Sequence, residues 1–141
     1  METMKVHTTN YFNTLIEVAD DCPLNKAEIP PMKQTGKTVA NLHFELLNDS
    51  PYKFTSDDVI FSTYAARQDI PEFEWKQERQ RFFSKGQACL RSSPLTKRYG
   101  WGIHCNEDAR VAIYPMESEE YQRLLSDMLL KKVKAMRSKR V

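Results

Sequence analysis

Two short alternating runs in the C-terminal third constrain the fold of this chain more than any other feature. Trp101, Ile103 and Cys105 alternate with Gly102 and His104, and the residues from Arg110 to Tyr114 alternate likewise. Asn106-Glu107-Asp108 between them supplies the residues of a tight connection. The pattern predicts a β-hairpin. A further strand is expected near the N-terminus, where Tyr11 to Ala19 is rich in aromatic and β-branched residues and ends in Asp20-Asp21-Cys22-Pro23. The Pro-rich stretch from Cys22 to Gly36 reads as a long loop.

Between these strands the periodicity is helical. Val39, Leu42, Leu46 and Leu47 predict a first helix that stops at Asn48-Asp49-Ser50-Pro51. Thr55 or Ser56, followed by Asp57 and Asp58, caps a second that carries Val59, Ile60, Tyr64 and Ala65. Pro71 fits the first turn of a third, with Phe73, Trp75, Phe82 and Phe83 as its buried residues and Gly86 near its end. Ser93-Pro94 can open one more helical turn, which Gly100 closes. After the hairpin, Ser118 with Glu119 and Glu120 caps a last helix whose stripe is Tyr121, Leu124, Leu125, Met128 and Leu129, continuing toward Met136. This order contains no βαβ alternation. It predicts an α+β fold, a single domain over residues 1–141, with a small, mainly antiparallel sheet of N-terminal strand plus hairpin covered by about four helices.

Composition sets limits on function. At 141 residues the chain is long enough for one sizeable core. No apolar stretch approaches the roughly 18 residues of a membrane helix, and the N-terminus has no apolar core of signal-peptide length. A cytoplasmic protein is expected. Cys22, Cys89 and Cys105 are an odd number without a Cys-x-x-Cys pair, so free thiols are expected, with neither a metal nor a cofactor. The net charge of +2 hides an asymmetry: Lys131, Lys132, Lys134, Arg137, Lys139 and Arg140 form a basic end, and the remainder of the chain carries −4.

The Lys97-Arg98-Tyr99-Gly100-Trp101-Gly102 segment, with Asn10-Tyr11-Phe12, Asp21-Cys22-Pro23 and the closing Ala135 to Arg140, resembles a family of small bacterial proteins of unknown function over nearly the whole chain. The resemblance implies a bacterial single-domain protein and carries no catalytic residue to any position.

The densest set of candidate site residues lies in the same region. Arg91, Lys97 and Arg98 supply positive charge, Ser93 sits at a helical start, and Tyr99 and Trp101 offer flat rings. Exposed amides at a helix start and guanidinium groups suit phosphate or carboxylate. Gly100 and Gly102 would let a ligand approach the backbone. Arg91, Ser93, Lys97, Arg98, Tyr99, Trp101 and His104 are therefore the expected site for a small anionic, phosphate- or nucleotide-like ligand. The competing structural reading makes Ser93 an ordinary cap, Trp101 a core residue and the cations solvated. A second functional reading has the basic end, Lys131 to Arg140, binding nucleic acid. A third makes His104 an acid or base, without Cys105 as its nucleophile, since neighbours on a strand face opposite ways.

Overall fold

The sheet is laid out around one short strand, β1 (Thr14–Glu17), whose first three residues are buried. The computed structural model describes residues 6–139, so Arg140 lies outside the described residues. The predicted hairpin forms one side of the sheet. β2 (Trp101–Cys105) pairs antiparallel with β1, and β3 (Val111–Pro115) pairs antiparallel with β2, which brings Ile16, Ile103 and Ile113 into line. On the other side of β1 lies β4 (Lys131–Lys134), running parallel to it. The order is β3-β2-β1-β4. The sheet is thus mixed, which corrects the expectation of a mainly antiparallel one.

The unexpected strand comes from the segment read as the end of a helix. α5 (Glu119–Ser126) starts at the predicted Ser118 cap, but it stops early. The Asp127 carboxylate accepts from the Leu129 amide at 2.9 Å, and the Leu130 amide returns to the Asp127 carbonyl at 3.2 Å, so the chain turns here. Met128 and Leu129, expected on the apolar stripe, are exposed on that turn, whereas Leu130 is buried. Beyond the turn, Lys131 donates to the Asn13 carbonyl and Ala135 to that of Glu17. Pairing with β1 outweighs the local apolar period because it satisfies the backbone of a strand that would otherwise be bare along one edge.

The helices before the hairpin are α1 (Val39–Asp49), α2 (Ser56–Arg67), α3 (Trp75–Phe82) and the single turn α4 (Pro94–Lys97); with α5 they make five α-helices among the described residues. Thr38 and Thr55 each accept from the backbone three residues on, while Asn41 and Asp58 return a bond to the cap amide. These reciprocal boxes satisfy two otherwise orphaned donors per helix. Asp57, expected to serve the helix end alone, also binds Thr8 and Thr9, fastening the N-terminal segment to α2. Pro71 leads into a 3-10 turn (Glu72–Glu74) before α3, and Phe73, expected in the core, is exposed there.

Each sheet face has its own apolar layer. Ile16, Trp101, Ile103, Cys105 and Val111 face Leu47 of α1, Val59 of α2 and Leu95 of α4. On the opposite face Leu15 meets Tyr121 and Leu124 of α5 together with Leu130. Phe61, Ala65 and Phe83 form a separate cluster with Tyr64, Trp75 and Phe82 where α2 meets α3.

The Tyr121 hydroxyl accepts from the Val18 amide at 3.0 Å, and its ring lies against Gly102. A Cβ built on Gly102 would stand 2.2 Å from the Tyr121 ring. Gly102→Ala is therefore expected to destabilise the protein by about 2–3 kcal/mol through overpacking. Denaturant unfolding should show most of that loss vanishing in a Tyr121→Ala background, because the two positions share one space.

Candidate functional site

The strand alternation of β2 divides the expected site. Trp101 is buried on the α1 face, with its indole Nε1 donating to the Glu28 carbonyl at 2.8 Å and its ring 5.3 Å from that of Phe44. His104 lies on the opposite face, in register with Leu15 and Ala112. Gly100 has φ +79° and packs against Met116 and the Lys26-Ala27 backbone, and Gly102 lies beneath Tyr121. Both glycines thus answer to packing within the chain. Arg91 spans the junction with β4, its Nε donating to the Lys134 carbonyl at 2.6 Å while its own carbonyl accepts from Met136. Ser93 is buried, caps α4, and shares a 2.8 Å hydrogen bond with His43. Lys97 is partly buried at the end of α4.

Arg98 and Tyr99 do converge with other polar groups. They border an open cleft of about 480 Å³ whose lining also includes Lys33, Lys37 and Arg67. Among the described residues no carboxylate lines it. The start of α1 forms one wall, and the amides of Val39 and Ala40, at its first two positions, have no acceptor within the helix. The cations arrive from three distant parts of the chain. Lys33 and Lys37 come from the long loop, which is pinned where Trp101 holds Glu28, where Glu28 donates to the Tyr99 carbonyl, and where Asn41 donates to the Pro30 carbonyl at 3.0 Å. Arg67 ends α2, and Arg98 follows α4. Lys37 is also paired with Glu45 at 2.8 Å.

A second cavity, of about 430 Å³, adjoins the cleft, with Val39, Arg67 and Pro94 lining both. His43 and Ser93 lie in its wall. His43 is only 5% exposed. Burial pushes its pKa down to about 4, so the ring is neutral at physiological pH. Ser93 Oγ accepts from the Leu95 amide at 3.3 Å and shares the hydrogen bond with His43 Nδ1. A weakly basic imidazole beside a hydroxyl already used as a cap is poorly suited to nucleophilic catalysis, which favours a base titrating near neutrality.

Lys33, Lys37, Arg67 and His43 were not among the residues that sequence reasoning singled out. One local signal was present: Gly36-Lys37-Thr38 directly before a helix is the kind of Gly-Lys-Thr run found at phosphate-binding helix starts, although the rest of that motif is absent. Nothing local marks Arg67 or His43.

On the other sheet face His104 Nδ1 is 2.7 Å from the Tyr52 hydroxyl, which is 2.6 Å from that of Tyr114. Burial lowers the His104 pKa, against an opposing pull from Asp127, and burial first, then Tyr114, raises that of Tyr52. Cys105 lies across the sheet in the core, its thiol pushed up to about 12 by burial. In the basic end, Lys134 and Arg137 both reach Asp20, and Lys134 also reaches Glu17. Lys132 donates to the Asp127 and Leu130 carbonyls. The amides of Ser138 and Lys139 donate to Asp21. Among the described residues no group of three or more His, Cys, Asp and Glu is placed to hold a metal ion, and no helix is long and apolar enough to cross a membrane.

The buried imidazole makes stability depend on pH with a definite sign. The unfolded chain takes up a proton on His43 near its ordinary pKa while the folded chain resists, so stability is complete above about pH 6.5 and falls as pH drops toward 4. Between about pH 6.5 and pH 5 His43 should account for about 2 kcal/mol of that loss. His104 acts in the same direction. Urea unfolding across this range should show a shallower slope for His43→Gln than for wild type.

Comparison with known proteins adds a family and no activity. No curated protein and no solved structure matches the chain. A family model described as "Family of unknown function (DUF6157)" matches residues 6–141, nearly the whole chain, and the chain therefore belongs to that family.

Proposed function

We propose that the chain binds a small phosphate-like anion in the cleft where Arg98 and Tyr99 meet Lys33, Lys37 and Arg67. The convergence of these cations from separate chain segments, around a space that no carboxylate among the described residues lines, carries the reading. The unfilled amides at the start of α1 support it, because the positive end of a helix favours an anion. Arg67 and Arg98 supply planar guanidinium groups, which match two oxygens of a phosphate or carboxylate at once.

The same observation bounds the strength of binding. Exposed ion pairs are worth about 0.2–1 kcal/mol each, so solvated cations alone hold an anion only at about millimolar affinity. Amides at the helix start add to this, and salt subtracts from it. The basic C-terminal end is a weaker candidate for phosphate contacts, since Lys134 and Arg137 already spend charge on Asp20. The cluster around His104 supplies a hydrogen-bonded relay, and the cavity beside its Tyr114 sets Arg123 against two carboxylates, Glu120 and Asp127.

Inorganic phosphate and pyrophosphate should raise the unfolding midpoint of the full chain at low salt, since a ligand selective for the native state stabilises it. Arg67→Ala/Arg98→Ala should remove at least about nine tenths of the affinity, consistent with the loss of two charge-assisted contacts. Lys131→Ala/Lys139→Ala should leave it unchanged. A response that survives in the first variant and disappears in the second would move the phosphate site to the basic end, and no response at all would overturn the reading.

A further inference from the structure

We propose that the basic cleft and the His43 cavity are two halves of one site for a nucleoside monophosphate, with the phosphate at the cleft and the base in the cavity. The inference rests on the anion reading above and extends it to the uncharged part of the ligand.

The two spaces adjoin. Val39, Arg67 and Pro94 border both, so a group held at Arg67 stands beside the second cavity. Their chemistry differs sharply. Beyond Arg67 the cavity is bordered by neutral polar groups, among them His43, Ser93 and Gln68, and by the rings of Tyr64 and Phe82. The rings lie with centroids 4.5 Å apart. Each cavity falls in the range of about 300–1,000 Å³ usual for small-molecule sites.

His43 offers a ligand in this cavity a polar contact. Its side chain is buried, and among the described residues its ring makes one hydrogen bond, from Nδ1 to Ser93. Nε2 has no partner there, yet it is not sealed from solvent. A ring nitrogen reachable from the cavity can be paired there by water or by a polar group of a ligand. Because the ring is neutral, Nε2 presents either a donor or an acceptor, set by what Nδ1 exchanges with Ser93, and no net charge. That suits the edge of a heterocyclic base. Tyr64 and Phe82, packed on one another and on the Phe61 cluster, add an apolar border against which a base can lie. A sugar phosphate would leave that border unused, and an aliphatic anion would leave His43 to water.

Isothermal titration of the full chain with inorganic phosphate, ribose 5-phosphate, the common nucleoside 5′-monophosphates and the free nucleosides tests this. At least one nucleotide is expected to bind about tenfold or more tightly than ribose 5-phosphate, the gain a base lying against that border supplies. His43→Gln should remove that gain and keep the affinity for phosphate. Ala88→Trp, an exposed rim position that carries no polar contact of the site, should do the same by filling the cavity without risk to the core. Nucleotides that bind no better than ribose 5-phosphate, or a gain that survives Ala88→Trp, would overturn the two-part site while leaving the anion reading intact. Nucleosides that bind as well as nucleotides, with phosphate inert, would instead overturn the anion reading, and with it this one.

Discussion

Everything in this fold hangs on β1 being paired along both edges. The strand has four residues, and its backbone groups are shared between β2 on one side and β4 on the other. Buried polar groups left without partners cost about 1–3 kcal/mol each, so a bare central edge would cost more than a small domain can spare. The pairing continues past the end of the strand. Ala19 donates to the Thr96 carbonyl, Thr96 donates to the Glu17 carbonyl, and Arg91 clasps both Lys134 and Met136 of the β4 segment. The single turn of α4 is thereby fixed to the end of β1, and Arg98 leaves it in a defined direction.

The candidate site is assembled from the parts of the chain that this arrangement immobilises. Trp101 grips the long loop through Glu28, and Asn41 grips it through Pro30, so Lys33 and Lys37 are delivered beside Arg98 by contacts in the core. Arg67 arrives from the far end of α2. The other titrating cluster, around His104, is isolated from these groups by the thickness of the sheet, as the alternation of β2 requires. The two faces cannot share one reaction centre.

The elements most legible in the sequence were those governed by local chemistry. The hairpin follows from its alternation and turn residues, and the helix starts follow from Thr55, Ser93 and Ser118, whose hydroxyls accept from nearby amides. β4 was not legible, because Tyr121, Leu124, Leu125, Met128 and Leu129 continue a helical stripe through the turn that Asp127 imposes. What selects the strand is a partner more than a hundred residues earlier. The site divides the same way. Arg98 and Tyr99 stood out by local density, but Arg67 is one more cation at a helix end and His43 one more polar residue in a helix until the fold sets them beside Pro94 and Ser93. Gly100 and Gly102 looked like ligand space and are instead filled by Met116, Ala27 and Tyr121.

The lysines of β4 have a consequence for the company this protein keeps. An outer strand exposes a row of unpaired donors and acceptors, which invites extension by a strand from another molecule. Here Arg91 closes the end of that row by donating to the Lys134 carbonyl, and the open part carries Lys131 and Lys132, so a second copy approaching in register would bring like charges together as its backbone came into range. The charge that suggested a grip on nucleic acid would, by the same physics, disfavour edge-to-edge pairing between copies of this sheet.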